Sequence, residues 1–127
     1  MPLTRLENDL VELLDASVSG TLGRVELKWS PMASVCVVMT SGGYPGSYAK
    51  GKIIRGLDDA VRLANTKIFH AGTTTAGDKI VTSGGRVLGV TAWAKDLKSA
   101  QAAAYAAVEK IHFEGAHFRR DIAAKAL

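Results

Sequence analysis

The sequence is short of cysteine and proline, and it has no long apolar run. Its 127 residues include one cysteine and three prolines. A single cysteine cannot form an internal disulfide, which excludes the small secreted domains that disulfides hold together. Cys36 lies within the apolar run 35–39, where an unreactive buried thiol is the simplest interpretation. No apolar run approaches the ~20 residues of a membrane-spanning helix.

Blocks of charge of one sign are also missing. The chain has 16 Lys and Arg against 12 Asp and Glu, a net charge of +4, and its basic residues are dispersed apart from Arg119 and Arg120. Dispersed basic residues argue against nucleic acid as a partner. Residues 1–5 lack the apolar core of a signal peptide. We therefore expect a cytoplasmic protein without nucleic-acid or membrane partners. A small basic nucleic-acid-binding domain, with steeply salt-dependent binding, stays as an alternative.

The N-terminal part predicts an amphipathic helix over residues 5–19. Its apolar positions share one helical face: Leu6, Leu10, Leu13, Leu14 and Val18. A capping box over 4–7 would begin this helix, and Gly20 would end it. A loop over 21–32 leads to a strand at 33–40. This strand is apolar at nearly every position, so we expect it to be covered on both faces.

A glycine-rich stretch, residues 41–51, follows that strand. Its four glycines suit a tight turn, and its backbone N–H groups together with Lys50 also suit an anion. The residues themselves do not decide between these two interpretations. A short strand at 52–55 and one or two helical turns capped by Asp58 come next.

The C-terminal half predicts a sheet and a long helix. Strand-like segments at 67–73, 79–82 and 86–93 are joined by short turns, which predicts an antiparallel meander over 67–93. Asp96 would cap a helix over 97–111 with an alanine-rich inner stripe. The expected fold class is α+β: a mostly antiparallel sheet packed by a long C-terminal helix, with a further helix at the N-terminus.

Arg86 is the sharpest candidate for a binding residue. It follows Gly84 and Gly85, which would permit positive φ angles and the close approach of a ligand. A guanidinium can bind phosphate through paired hydrogen bonds. An exposed arginine after a hairpin turn explains the same pattern, and the residues alone slightly favour that simpler interpretation.

Other candidates have equally plain alternatives. Lys50 would contact phosphate or be solvated, and Tyr44 would stack on a ligand or cover its own loop. His70 would act as an acid–base group, although a structural histidine is the commoner case. Neither His112 nor His117 has a second ligand at metal-site spacing, so no metal site is expected. The residues alone predict an anion-binding module without a catalytic centre.

Four segments taken together resemble one known family. They are Gly42-Gly43-Tyr44-Pro45-Gly46 with Tyr48 and Lys50-Gly51, Phe69-His70-Ala71-Gly72-Thr73, Thr82 with Gly84-Gly85-Arg86-Val87-Leu88 and Val90-Thr91-Ala92, and Ile111-His112-Phe113-Glu114-Gly115 followed by Arg119, Asp121 and Ile122. In order and spacing they resemble the C-terminal part of the phosphoribosylamine–glycine ligases, also called glycinamide ribonucleotide synthetases. The resemblance covers nearly the whole chain. It implies an ATP-grasp ligase of purine biosynthesis that joins glycine to 5-phosphoribosylamine through glycyl phosphate.

The resemblance also implies a division of the chain and of the chemistry. Residues 1–28 would be the end of the ATP-grasp region, and residues 29–127 the C-terminal domain. The ligands of ATP and Mg²⁺ would lie upstream of Met1, so this fragment would be inactive alone. Its partners would be the missing N-terminal and ATP-grasp domains, or a second copy of itself. The tail 121–127 departs from the family pattern, because it lacks an aromatic residue and an arginine that the family usually has there.

In the binding site that the resemblance implies, Arg86 contacts the substrate phosphate. The remaining residues of that substrate-binding site are Gly84, Gly85, Lys50, Gly43, Tyr44, Gly46 and His70. Two alternatives stay open: a stand-alone phosphate-binding or regulatory module without catalysis, and another ATP-grasp ligase with a similar C-terminal domain.

Overall fold

A computed structural model describes residues 2–127, so Met1, the first residue of the predicted segment 1–28, lies outside it. The helices are α1 (Leu10–Val18), α2 (Leu57–Val61) and α3 (Leu97–Val108). The strands are β1 (Ala33–Thr40), β2 (Thr66–His70), β3 (Thr73–Ala76), β4 (Lys79–Thr82) and β5 (Arg86–Ala94). Short 3-10 helices span Pro2–Thr4, Leu22–Arg24 and Ala124–Ala126. This is the predicted α+β class, and the strand pairs of the described residues are antiparallel.

A three-stranded sheet with the order β1-β5-β2 forms the centre of the molecule. The register places Val37 and Ile68 on either side of Val90. α3 packs on the face that these residues share, where Val37, Met39 and Val90 are fully buried. Burying each such side chain contributes roughly 1.5–3 kcal/mol, so this layer is the main source of stability.

The sequence predicts α3 well. The Asp96 carboxylate caps it by accepting from the Ser99 N–H at 2.7 Å and from the Ser99 hydroxyl at 3.0 Å. The predicted inner stripe is buried: Ala100, Ala104, Ala107, Val108 and Ile111. The helix ends at Val108 rather than at residue 111, because the chain then turns to pair His112 with Arg55.

The strand order within residues 67–93 differs from a simple meander. β3 and β4 form a separate two-stranded sheet, while β2 pairs with β5. Residues 51–55 extend the small sheet, with the Gly51 N–H donating to the Thr82 carbonyl at 2.7 Å. The predicted short strand at 52–55 is therefore present as two isolated bridges, one from Ile53 to Val81 of β4 and one from Arg55 to His112.

The expectation that β1 is covered on both faces is wrong. Val35, Val37 and Met39 point towards α3 and are buried, whereas Val38 is 42% exposed on the opposite face. Because α3 covers one side of the sheet, side chains along β1 alternate between buried and more exposed positions, although nearly all of them are apolar.

The predicted N-terminal helix begins later than expected, at Leu10 instead of residue 5. Asp9 caps it by accepting from the Val11 N–H at 2.7 Å, so the capping box over 4–7 does not form. The preceding residues instead pair with residues 28–30, as in the hydrogen bond from the Glu7 N–H to the Lys28 carbonyl at 3.0 Å. The helix ends as predicted before Gly20, which has a φ of +69°.

Helix α2 does not use the predicted cap. It begins after Gly56, which has a φ of +79°, so Asp58 lies in its first turn and is not its cap. Among residues 2–127, no helix combines the length and the apolar character needed to cross a bilayer.

Candidate functional site

The two glycine-rich turns lie against each other at one end of the central sheet. Ser41 opens the first turn, and its N–H donates to the Gly85 carbonyl at 2.8 Å. The Ser41 hydroxyl donates to the Gly84 carbonyl at 2.9 Å. Ser41 is itself buried, so these two bonds fix the 41–51 stretch to the start of β5, where Arg86 lies.

The glycines of this junction are required by packing. A Cβ on Gly85 would overlap the Tyr44 ring, and one on Gly84 would meet the Gly72 Cα at 3.0 Å. Gly42 is equally tight against a backbone carbonyl of a later turn, that of Gly115, at 2.8 Å from an added Cβ. The expectation of positive φ at Gly84 and Gly85 is wrong. Their small size lets neighbouring segments approach.

Gly43 and Gly46 shape the first turn from within. Gly43 has a φ of +93°, and a Cβ there would overlap the Ser47 carbonyl. A Cβ on Gly46 would lie 3.1 Å from the Gly43 carbonyl oxygen. Both glycines therefore hold the turn that presents Tyr44, whose ring also makes an edge contact with Tyr48 at 6.2 Å.

Arg86 and Tyr44 line one cavity of about 280 Å³. Its other lining residues are Cys36, Val38, Thr40, His117, Phe118, Arg119 and Ile122. The outward face of β1 forms an apolar floor, and Cys36 is half-buried there rather than fully buried as expected. In the part of the chain that the structure describes, no hydrogen-bond acceptor or carboxylate engages the Arg86 side chain. An unpaired guanidinium beside an apolar wall is suited to bind an anionic group.

The C-terminal tail forms the opposite wall of this cavity. His117 and Thr40 exchange backbone hydrogen bonds of 2.8 and 3.0 Å. The Tyr105 hydroxyl donates to the Arg119 carbonyl at 2.8 Å and accepts from the Ile122 N–H at 3.1 Å. The tail is therefore tied both to β1 and to α3, which fixes the cavity wall.

The C-terminal tail contains an ion pair beside the cavity. Arg119 donates to both carboxylate oxygens of Asp121, at 2.8 and 2.5 Å. This contact lowers the pKa of Asp121 and raises that of Arg119. Arg120 instead lies over the Phe118 ring at 5.0 Å. Since Arg119 is already paired, Arg86 is the arginine of this cavity that has its donors available.

The remaining predicted site residues lie outside the cavity wall. Lys50 is exposed in the first turn and does not line the cavity. His70 ends β2, and its Nδ1 is 3.0 Å from the Thr73 hydroxyl. Sequence reasoning missed His117, Phe118 and the outward face of β1 as cavity residues. The available signal was alternation, with every second residue of the 33–40 strand facing away from the core. The nearly continuous apolar character of this strand concealed that alternation.

The described residues do not offer a metal site of their own. Among residues 2–127, no three His, Cys, Asp or Glu side chains are grouped closely enough to hold an ion. The Mg²⁺ that the family resemblance implies thus has no fitting donor set among these residues.

Comparison with known proteins identifies a matching domain family and several proteins of similar sequence. Residues 34–125 match the family described as phosphoribosylglycinamide synthetase, C domain. A phosphoribosylamine–glycine ligase of Vibrio cholerae is 50% identical over 125 residues, which is 98% of this chain and 29% of that protein. The chloroplastic ligase of Arabidopsis thaliana is also 50% identical, over 98% of this chain and 24% of its own length.

A solved structure gives the same result for the fold. The crystal structure of phosphoribosylamine–glycine ligase from Thermotoga maritima matches with a TM-score of 0.69 at 33% identity. The match covers 86% of this chain and 27% of that one. The chain therefore spans less than a third of the length of these relatives.

Proposed function

The chain belongs to the family of phosphoribosylglycinamide synthetase C domains, and from that membership we propose that it is the C-terminal domain of a phosphoribosylamine–glycine ligase. The proposed reaction joins glycine to 5-phosphoribosylamine, with ATP converted to ADP and phosphate. The glycine carboxylate is activated as glycyl phosphate, and the amine of phosphoribosylamine then attacks its carbonyl carbon. The proposed setting is the cytoplasm, in de novo purine biosynthesis.

In this proposal, Arg86 binds the 5′-phosphate of phosphoribosylamine. The supporting observation is that Arg86, without a side-chain partner among the described residues, lines the 280 Å³ cavity where the two glycine turns meet. Tyr44 forms the adjacent wall. Gly84 and Gly85 act through their small size, because they let the first turn lie against the start of β5.

That Lys50, Gly43, Gly46 and His70 contribute to substrate binding stays a prediction. Gly43 and Gly46 hold the turn that carries Tyr44. Lys50 is adjacent to Gly51, which bonds to β4 just before the second glycine turn. Such a position allows Lys50 to contribute positive potential near the cavity without lining it.

We also propose the division of the chain into residues 1–28, which end an ATP-grasp region, and residues 29–127, which form the C-terminal domain. The support is the exposed apolar surface of α1, where Leu14 is 58% and Val18 90% exposed. This surface would pack against the preceding domains, which would also hold ATP and Mg²⁺. The chain alone would be inactive, and the same surface would let two copies associate.

A chimeric enzyme tests the proposal. Residues 3–127 would replace the matching C-terminal part of the Vibrio cholerae ligase, and glycinamide ribonucleotide formation would be measured. The unmodified chimera should be active. Arg86→Ala should raise the KM for phosphoribosylamine by about 10- to 100-fold, as expected for a lost charged hydrogen bond, and leave the KM for ATP unchanged.

Lys67→Ala is the matched control, because Lys67 is an exposed basic residue outside the cavity. It should leave both KM values near those of the unmodified chimera. An unchanged KM for phosphoribosylamine in Arg86→Ala would refute the assignment of Arg86. A folded chimera without ligase activity would instead favour a phosphate-binding module without catalysis.

A further inference from the structure

A second groove, of about 490 Å³, lies between residues 51–55 and 112–114. Its lining residues are Gly51, Lys52, Ile53, Arg55, His112, Phe113 and Glu114. It shares no lining residue with the cavity at Arg86. The proposed ligase function assigns nothing to this groove, although it is built from two segments of the family resemblance.

Arg55 and His112 are paired directly opposite each other on the two neighbouring segments that form the groove. The Arg55 N–H donates to the His112 carbonyl at 2.9 Å, and the His112 N–H donates to the Arg55 carbonyl at 3.0 Å. In such an antiparallel pair the two side chains emerge on the same side, with Cβ atoms about 4.5–5.5 Å apart. An arginine and a histidine side chain are thereby placed side by side, so the Arg55 guanidinium and the His112 ring can both donate to one ligand.

Among the described residues, no carboxylate forms an ion pair with Arg55. Neither the Arg55 nor the His112 side chain has a hydrogen-bond or ion-pair partner within residues 2–127. Glu114 is the carboxylate of the groove lining, and Lys52 already holds it at 2.7 Å. Asp58 and Asp78 line an adjoining groove that Arg55 also borders, but neither forms an ion pair with it.

The backbone around these groups is firmly held. Ile54 lies between Lys52 and Arg55 in sequence, is buried, and donates its N–H to the Ile80 carbonyl at 2.9 Å. On the other wall, Phe113 is 8% exposed and packs in the core. The basic side chains thus project from two fixed strands, so little ordering is needed when a ligand binds.

We propose that this groove binds a phosphate group, separately from the site at Arg86. Arg55 offers two parallel N–H donors to the phosphate oxygens, His112 offers a ring N–H, and Lys52 adds a point charge. Glu114 restrains the site by holding Lys52. The ligand class is a phosphate monoester or a small polyphosphate.

Histidine NMR signals allow a direct test, because the chain has three histidines, His70, His112 and His117. The 127-residue chain would be titrated with pyrophosphate, and in a parallel arm with inorganic phosphate, at constant ionic strength and pH. The His112 ring signals should shift in a saturable way, while those of His70, which lines neither groove nor cavity, move little; His117 lines the cavity at Arg86, so its signals report that site separately. Equal, unsaturated shifts of all three rings would overturn the proposal, because they would report only a general ionic effect.

Substitutions define the site further. Arg55→Gln should weaken pyrophosphate binding at least about tenfold, as expected when a charged donor is lost. Arg62→Gln is the matched control, since Arg62 lies outside the groove with Asp59 at 3.9 Å. Arg86→Gln should also bind pyrophosphate at His112 normally, which separates this site from the proposed substrate site.

Glu114→Gln gives an expectation of the opposite sign. It removes the groove's carboxylate and releases Lys52, so pyrophosphate should bind several-fold more tightly. Weaker binding in Glu114→Gln would contradict the proposal, and so would unchanged binding in a folded Arg55→Gln chain. Amide NMR spectra of each variant establish that it is folded.

Discussion

Helices α3 and α1 both carry an apolar stripe, yet their surroundings differ. Ala100 and Ala104 on α3 are fully buried against the central sheet, whereas Leu14 and Val18 on α1 are 58% and 90% exposed. Among the described elements, α1 packs mainly beside the short 3-10 helix Leu22–Arg24. An apolar stripe thus shows which side of a helix favours burial. It does not show whether the covering partner belongs to the same chain.

The largest expected effect comes from a pair of leucine substitutions that contrasts the two regions. Leu88→Ala removes a side chain that is 1% exposed in the central sheet and should lower the free energy of unfolding by about 2–5 kcal/mol. Leu14→Ala on the exposed side of α1 should change it by less than about 0.5 kcal/mol. Urea unfolding curves would measure both. Equal losses would show that α1 is covered in solution.

A pair of glycine substitutions should give a smaller contrast. Gly42→Ala places a Cβ 2.8 Å from the Gly115 carbonyl oxygen, so backbone must move at a cost of about 1–3 kcal/mol. Gly23→Ala in the N-terminal region meets no atom within 4 Å and should be neutral or slightly stabilising. The same unfolding curves apply. A neutral Gly42→Ala would mean that the first glycine turn and the turn at Gly115 do not pack tightly against each other.

The smallest effect concerns the cap of α3 and its pH dependence. Hydrogen bonds from the backbone and side chain of Ser99 lower the pKa of Asp96 from 3.8. A group whose pKa is lower in the folded state stabilises fully above its unfolded pKa, and this contribution is lost as the pH falls through the folded pKa. Part of the fall in Tm at acidic pH should therefore come from Asp96. Asp96→Asn keeps a capping side chain but cannot lose a charge, so its Tm should fall less as the pH is lowered.

The matched variant for that measurement is Asp9→Asn at the start of α1. Because α1 contributes little to the buried core, this change should leave the acidic decline of Tm close to that of the unmodified chain. Thermal unfolding between neutral pH and about pH 3 would compare the three proteins. An Asp9→Asn effect as large as that of Asp96→Asn would contradict the described difference between the helices.

The parts of the fold that local patterns determine were predictable. β1 has the predicted bounds 33–40, since an apolar run ends there at a glycine-rich turn. α3 begins at its predicted cap because Asp96 precedes a run of strong helix formers. The start of α1 was not predictable in this way. Its leucine spacing continues upstream of Asp9, but pairing of the backbone with residues 28–30 overrides that pattern.

The candidate site was predictable only in part, for a similar reason. Arg86 and Tyr44 were singled out from local sequence, and the structure brings them to one cavity. The opposite wall depends on the pairing of Thr40 with His117, which are 77 residues apart. No local signal encodes such a contact. The open side of β1 was missed because Cys36 and Val38 are apolar, although no helix of the described residues 2–127 covers them.

The contact between Gly42 and Gly115 has a consequence for how this chain tolerates sequence change. When a large and a small residue touch, growth of one can be offset by shrinkage of the other. Two touching glycines have no such exchange available, because neither can become smaller. Gly72 and Gly84 are in the same situation. Each pair is therefore a point where sequence drift on one segment cannot be compensated on the other, and homologous chains that vary here must differ in backbone path.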